Sequence, residues 1–350
     1  MRFPAGLPPP ILGDAWHLLP DTPTAPSHRA HVNPSLPIPA GGGCAAQCDH
    51  FHHAVGLIND KTDGFLDELL PSVTLRVAEA VTGCGEGRAS TALAELRATL
   101  PQMVAIVGPA CSSDVGQLSQ PGFRADANFS TPLLSYASTA TTLSNETSYT
   151  NVARLATNEA HIGAGNALVA QLYAWRRIAV LAEDSEWGRS AASNFIAAHT
   201  SREGGRPEDI LNRDDPSTLA FDPLDFDPSV DGETQLQAAR RLLERLDARR
   251  ARIVYLVATP ATQERIFAAS ARYGLLRGAG YAWMLAWVSE DALRGRDGRP
   301  SAQAIEGSEG AIGLRESSDD SSVEYQDYHA RWRAHSEEEG CARQHNRSGR

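Results

Sequence analysis

Hydroxyl side chains cluster in two short stretches of this sequence, and each stretch follows a predicted strand. Ser112 and Ser113 stand after the apolar run 103–107, within the stretch PQMVAIVGPACSSD. The second stretch, TPLLSYASTATTLSN, covers residues 131–145. Hydroxyls and free backbone N–H groups at the carboxyl edge of a sheet are suited to binding a carboxylate or similar anion. The same residues also fit an ordinary strand–helix corner in which the serines only cap the helix.

Alternating strands and helices must position these hydroxyls. The run 103–107 is β-branched, too short for a helix and ended by a Gly-Pro pair, which predicts a buried strand. A helix should follow, because Asp114 and Gln117 fit the reciprocal capping pattern. The other predicted strands are 73–78, 131–136, 177–182, 253–258 and 281–287, and the other predicted helices are 44–59, 87–100, 158–175, 234–249, 262–273 and one ending near residue 199. This alternation predicts parallel sheets with helices on both faces.

The composition is that of a globular protein and argues against several functions. The chain has 350 residues, 42% of them apolar, enough for one large core or two domains. Its net charge of −11 does not fit a nucleic-acid surface. No apolar stretch approaches the roughly 18–20 residues that span a bilayer, and prolines break the N-terminal region where a secretion signal would lie. The sequence lacks the G-x-S-x-G, H-E-x-x-H and phosphate-loop motifs of common enzymes, and no cofactor is predicted.

Three motifs in order resemble a known receptor region: VAIVGPACSS, TPLLSYASTATTLSN and YAWRRIAVLAEDSEWGRS at 173–190. Together they resemble the ligand-binding region shared by natriuretic-peptide, metabotropic glutamate and GABA type B receptors. The resemblance implies the type I periplasmic-binding-protein fold, an α/β architecture of two Rossmann-like lobes joined by a hinge. The implied boundaries are a Pro/Gly-rich leader at 1–43, lobe one at 44–155, lobe two at 156–335 with an acidic loop insertion at 201–233, and a polar tail at 336–350.

The resemblance also implies ligand-binding positions. Ser112, Ser113, Ala137 and Thr139 of lobe one match positions that hold the ligand in the amino-acid-binding receptors, although a simple Ser/Thr turn is the alternative. Trp187 of lobe two matches an aromatic residue that packs over bound ligand, and structural packing is again the alternative. Tyr255 and Trp287 are further candidates in lobe two. The family's aspartate after the last strand is replaced by about Trp287, which argues against an α-amino-acid ligand.

The cysteines and the glycosylation acceptors bear on the compartment, which is oxidising if the cysteines form a disulfide. The five cysteines are an odd number, so at least one lacks an intrachain partner. Cys84 and Cys111 each follow a predicted strand, and the resembling receptors carry a disulfide at this pair of positions. Two small buried hydrophobic residues are the alternative. Asn128 and Asn145 begin Asn-x-Ser/Thr tripeptides, as does Asn346, although three are close to chance in a chain of this length.

Two clusters invite a metal interpretation and are better explained without one. The predicted helix 44–59 contains two cysteines and three histidines: Cys44, Cys48, His50, His52 and His53. The histidines fall on different faces, and no second ligand pair at finger-like spacing follows, so surface histidines are the simpler explanation. The acidic loop 201–233 lacks the spacing of a calcium-binding EF-hand, which favours a solvated loop.

The leading hypothesis is the extracellular or lumenal ligand-binding region of a membrane receptor, which binds a small molecule or peptide between its lobes and signals by closing. The resemblance further implies a homodimer through lobe one. Lobe one is expected to be incomplete, because the family's first strand and the helix that returns from lobe two are not evident. The membrane span and signalling domain are also expected to lie outside this chain. The alternatives are a soluble α/β enzyme and a degenerate fragment without ligand.

Overall fold

The computed structural model describes residues 46–338, except 69, 81, 83–86, 101–102, 120–130, 213–219, 228, 296 and 315–320. The helices are α1 Ala46–Asn59, α2 Ala89–Thr99, α3 Ser112–Leu118, α4 Glu159–Leu172, α5 Glu186–Ser201, α6 Gly232–Ala248, α7 Pro260–Tyr273, α8 Ala302–Gly307 and α9 Val323–Glu338. The strands are β1 Ile106–Val107, β2 Leu133–Ser135, β3 Val152–Arg154, β4 Ala179–Glu183, β5 Ala220–Phe221, β6 Ile253–Val257, β7 Ala282–Leu285 and β8 Ala311–Gly313. Among these described helices, none combines the length and apolar character needed to cross a membrane.

The described strands form two sheets in which every pairing is parallel. The first sheet has the order β1-β2-β3, and the second has the order β5-β4-β6-β7-β8. Parallel neighbours require crossover connections, and here α3 joins β1 to β2 while α7 joins β6 to β7. The predicted α/β class with parallel sheets is confirmed. We use lobe one for the elements around the first sheet and lobe two for those around the second.

Lobe two has a buried sheet covered on both faces. Val180 and Tyr255 point to the face packed with α4 and α5. Leu181 and Leu256, one residue further along each strand, point to the face packed with α6, α7 and α8. This period of two follows from the strand geometry, and burial on both faces explains why these segments are almost wholly apolar.

Lobe one has a smaller core built on its three-stranded sheet. Ile106 and Leu133 from the strands pack with Leu93 of α2 and Val115 of α3. A second cluster joins α1 to the sheet, because Val55 of α1 packs with residues that include Val107 of β1. The predicted site residues lie at the carboxyl ends of β1 and β2. Helices α1, α2 and α3 pack against the sheet that carries them.

Two local predictions in lobe one are wrong. The strand predicted at 73–78 does not form, and residues 73–80 have no strand pairing. Instead, the side chain of Asn59 accepts a hydrogen bond from the Leu75 N–H at 2.7 Å and donates one to the Leu75 carbonyl at 2.9 Å. The second wrong prediction is that Asp114 and Gln117 cap the start of α3. Helix α3 begins at Ser112 with Cys111 as its extended N-cap, whereas Asp114 lies inside the helix and is buried. The amide of Gln117 donates to the carbonyl of Gly87 instead.

Helix α9 returns from lobe two to lobe one, contrary to the sequence-based expectation. Its residue Arg331 pairs with Asp63 and lies over the ring of Phe65. His335 of α9 stacks on His53 of α1. This contact is hard to predict from the sequence, because α9 has no buried apolar stripe and its described side chains are exposed or only half-buried.

Gly188 fixes how helix α5 leaves strand β4. A Cβ atom placed on Gly188 would lie 2.0 Å from the carbonyl oxygen of Glu183, a distance that no real contact shows. The first turn of α5 is closed by Ser185, whose Oγ accepts a hydrogen bond from the Gly188 N–H at 3.0 Å. This close approach sets the position of the neighbouring Trp187.

We expect Gly188→Ala to lower the free energy of unfolding by about 1–3 kcal/mol or more, because the methyl group must displace backbone. Urea unfolding followed by circular dichroism measures this loss. Gly232→Ala is the control, since a Cβ there meets nothing within 4 Å. Equal unfolding midpoints for the two variants would contradict the close packing at Gly188.

Candidate functional site

A buried carboxylate stands where the two lobes meet. Glu159, the first residue of α4, is only 2% exposed. Its Oε1 accepts a hydrogen bond from the Thr139 hydroxyl of lobe one at 2.7 Å and another from the Trp187 indole N–H of lobe two at 2.7 Å. The Glu159 backbone N–H also donates to the carbonyl of Thr139 at 2.9 Å. Two of the predicted site residues are therefore joined through a residue that the sequence analysis did not select.

The two predicted serines of lobe one lie at the carboxyl end of β1 and have different environments. Ser112 is buried, and its Oγ accepts a hydrogen bond from the backbone N–H of Ala140 at 3.2 Å. This bond ties the start of α3 to the turn after β2, so Ser112 has a structural role. Ser113 is half-buried at the next position. Of the two hydroxyls, Ser113 is the better placed to reach a bound molecule.

The turn after β2 presents Ala137 and Thr139 beside the corner that precedes α3. Ala137 is exposed, and Thr139 is half-buried and committed to Glu159. Buried serines lock the turn to that corner: Ser135 Oγ donates to the Pro109 carbonyl at 2.7 Å, and Ser138 Oγ donates to the Ala110 carbonyl at 2.9 Å. Of the four positions predicted in lobe one, Ser112 and Thr139 make internal hydrogen bonds, whereas Ser113 and Ala137 are more accessible.

Two tryptophans line the lobe-two side. The rings of Trp187 and Trp287 meet edge to face with centroids 5.8 Å apart, and both side chains retain solvent exposure. The backbone of Trp287 is held by Gln263, whose amide donates to its carbonyl at 2.9 Å. Since Trp187 follows β4 and Trp287 follows β7, the pair spans the carboxyl edge of the second sheet. An aromatic surface of this kind suits an apolar or cationic group.

Tyr255, a further candidate from the sequence, does not reach this surface. Its side chain is fully buried and stacks on Phe195 with centroids 4.0 Å apart. Burial raises the pKa of the Tyr255 hydroxyl well above its ordinary value, and the negative charge of Glu159 adds to the rise. Tyr255 is therefore a neutral core residue beneath the site.

A second polar contact joins α5 of lobe two to the short 3-10 helix 141–144 of lobe one. The backbone N–H of Thr141 donates to Ser190 Oγ at 3.0 Å. The amide of Asn194 donates to Thr141 Oγ1 at 3.2 Å, and Thr142 Oγ1 donates to Glu186 at 2.7 Å. These hydrogen bonds link the lobes through hydroxyl and amide groups. Such groups can exchange hydrogen-bond partners, including water, when the lobes move.

Arg154 of β3 holds the same 3-10 helix from the hinge side. Its guanidinium donates to the Ala140 carbonyl at 2.8 Å and to Ser144 Oγ at 2.5 Å. Burial lowers the pKa of Arg154 from its ordinary value, yet the group stays charged at neutral pH. Arg154 is the last residue of β3, just before the segment that leads into α4 of lobe two.

Glu183 is a second buried acid, at the carboxyl end of β4. Its two oxygens accept hydrogen bonds from Ser185 Oγ at 2.9 Å and from the Thr259 N–H at 3.3 Å. Burial raises the pKa of Glu183, and these two hydrogen bonds oppose the rise. The carboxylate therefore connects β4 with the turn after β6, beneath the tryptophan surface.

Several predicted positions lie outside the described residues, namely Cys84, Asn128 and Asn346. Cys111 is described as the N-cap of α3. Because Cys84 is not described, the Cys84–Cys111 pairing stays a prediction. Asn145 is exposed, with its side-chain oxygen bound by Thr147. Within the part of the chain that the structure describes, no group of three or more His, Cys, Asp or Glu residues is spaced to hold a metal ion.

A family model for the receptor family ligand binding region matches residues 66–346. The chain belongs to this family. The match covers lobe two and most of lobe one, and it includes Thr139, Glu159 and Trp187. No curated protein matches the chain. The resemblance stated from the sequence motifs is therefore confirmed at the level of the family.

Glu159 can be tested as the connection between the lobes. Glu159→Ala leaves the Thr139 hydroxyl and the Trp187 N–H without their acceptor, and we expect a loss of about 1–3 kcal/mol in unfolding free energy. Glu159→Gln keeps an oxygen acceptor and should lose less. Both are measured by urea unfolding.

Glu208→Ala is the matched control, because that side chain is 69% exposed. It should leave the unfolding midpoint unchanged. In a double-mutant cycle, Thr139→Val and Trp187→Phe should be non-additive, since both donors share one oxygen. Additive losses would contradict a shared acceptor.

Proposed function

We propose that this chain is the extracellular or lumenal ligand-binding region of a membrane receptor. It binds a small molecule or peptide between its two lobes and signals by closure of the cleft. Membership of the receptor family supports the general role. The observation that supports the site is the Glu159 carboxylate shared by Thr139 and Trp187, because a ligand that contacts these residues acts on both lobes at once.

The energetic logic of closure follows from the division of the site. Ser113, Ala137 and Thr139 belong to lobe one, whereas Trp187 and Trp287 belong to lobe two. A ligand held by one lobe alone gains only part of the binding energy. A ligand that contacts both lobes binds the closed arrangement more tightly and shifts the population toward it. The polar bonds between α5 and residues 141–144 are the contacts that such a shift would rearrange.

The side chains favour a ligand that combines an apolar or cationic part with hydrogen-bonding groups. The tryptophan pair supplies aromatic surface, and Ser113 supplies a hydroxyl in the first turn of α3. Ser112 is less available to a ligand, because its Oγ already accepts a hydrogen bond from the Ala140 N–H. By the resemblance, the aspartate of the amino-acid receptors corresponds to about Trp287 here, which argues against an α-amino acid.

The membrane and assembly context belongs to the same proposal. A Cys84–Cys111 disulfide and glycans at Asn128 and Asn145 fit a protein of the secretory pathway. The exposed position of Asn145 is compatible with a glycan. We further propose a homodimer through lobe one, as in the receptors that the motifs resemble.

Ligand binding can be tested by thermal shift with amino acids, nucleotides and small carboxylates. A ligand at 100 times its Kd adds about 2.7 kcal/mol to the stability of the folded state and raises the melting temperature. We expect Ser113→Ala to weaken binding of that ligand by about tenfold, the equivalent of one hydrogen bond.

Ser201→Ala is the control for this substitution, because Ser201 ends α5 on an exposed surface. It should leave the shift unchanged. A ligand shift that persists in full in Ser113→Ala would place binding outside the proposed cleft. A cooperative melt without any shift would exclude the three tested ligand classes.

The compartment can be tested on protein secreted from eukaryotic cells. We expect non-reducing peptide mapping to recover Cys84 and Cys111 in one linked peptide pair, because the resembling receptors carry a disulfide at this pair of positions. Glycosidase treatment should reduce the mass of peptides that carry Asn128 or Asn145. Recovery of Cys84 and Cys111 as free thiols would contradict the proposed disulfide.

A further inference from the structure

Helix α9 contacts lobe one through one narrow set of side chains. Tyr328, Arg331, Trp332 and His335 recur at helical spacing and all face α1 or the segment after it. Each of them is only half-buried, and no described residue of α9 is fully buried. The attachment of α9 therefore depends on aromatic and charged contacts more than on burial of apolar surface.

A pair of stacked histidines is at the centre of this contact. The rings of His53 in α1 and His335 in α9 lie 4.5 Å apart between centroids, with 19° between their planes. Trp332 packs edge-on against His53 at 5.6 Å, and Tyr328 lies at 6.2 Å. Two neutral imidazoles stack favourably, but two imidazolium ions at this separation repel each other.

The charges around His53 and His335 affect how protonation of these rings changes the docking of α9. Arg331 of α9 lies beside the pair and forms an ion pair with Asp63 at 3.4 Å, so the nearby positive charge is already partly neutralised. A cavity of about 450 Å³ opens next to the rings and is lined by His52, His53, Gly56, Leu57, Asp60, Asp63 and His335. Water and protons can therefore reach both imidazoles.

We propose that the His53–His335 stack makes α9 a proton-sensitive strap, which binds lobe one at neutral pH and is released in acid. The inference is independent of the proposed ligand-binding function, since it uses no residue of the interlobe site. It concerns the strength of one connection between the lobes. A chain that passes through an acidic compartment would lose that connection there.

The direction of the effect follows from the environment of His53. Burial, the neighbouring His335 and the charge of Arg331 all lower the pKa of His53, and Asp63 opposes them. A base whose pKa is lowered by docking binds protons better when undocked. The docked state is therefore fully favoured above the free imidazole pKa of about 6.5 and is weakened as the pH falls below it.

The other titratable groups near the pair do not reverse this direction. His52 of α1 pairs with Glu79, a contact that lies within lobe one. Asp60 is bound by Thr62, and its carboxyl keeps a lowered pKa. Burial raises the pKa of Tyr328 to about 12, so its hydroxyl stays neutral throughout this range.

Hydrogen exchange measured by mass spectrometry on the full chain tests the proposal. Protection of a peptide covering 323–338 is compared at pH 7.5 and pH 5.5 after correction for the intrinsic exchange rates. We expect about fivefold lower protection at pH 5.5, because two like charges at about the separation of the His53 and His335 rings repel each other by about 1 kcal/mol in water. Peptides from α5 and α7 should keep their protection.

His335→Phe and His53→Phe keep an aromatic ring in the stack but cannot take a proton, and we expect equal α9 protection at both pH values. His161→Phe is the matched control on the exposed side of α4 and should retain the wild-type pH dependence. If a Phe variant does not dock at pH 7.5, the corresponding Gln variant replaces it. The proposal is overturned if wild-type protection is the same at both pH values. It is also overturned if the His53 and His335 single variants keep the full pH dependence.

Discussion

The carboxylate of Glu159 imposes the constraint on which the site depends. A carboxylate oxygen removed from water is costly unless donors satisfy it, and the donors to Glu159 Oε1 come from different lobes. Thr139 and Trp187 are consequently held within one hydrogen-bond length of the same atom. Any movement of one lobe against the other must break or exchange at least one of these bonds. The two halves of the site cannot change position independently of this residue.

The surrounding fold makes that constraint possible. Parallel strands deliver their carboxyl ends to one edge, which brings the turns after β1 and β2 together and aligns the residues that follow β4 and β7. Buried serines and Gln263 then fix the turns by bonds to backbone carbonyls. These internal supports leave few polar groups exposed, so the accessible chemistry is set by Ser113, Ala137 and the two tryptophans.

The sequence predicted the fold class well because the strands of both sheets are short apolar runs flanked by turn residues. Thr139 and Trp187 were selected through the family resemblance, and both follow strands predicted in this way. Glu159 was not found, since an acid in the first turn of a helix is ordinary and its partners are 20 and 28 residues away. The strand predicted at 73–78 failed because the side chain of Asn59 competes for the backbone of Leu75, and pattern alone does not show such a bond.

The contact between α9 and the segment after α1 also bears on how the chain folds. Arg331 and Asp63 are 268 positions apart, so their pairing closes a loop that contains nearly the whole described chain. Closing so long a loop in an unfolded chain is entropically unfavourable, whereas the pairings within each sheet close much shorter loops. Once both lobes have formed, the two ends of this loop are already close. Docking of α9 should therefore be a late folding event, and α9 should be the first element to separate when the protein begins to unfold.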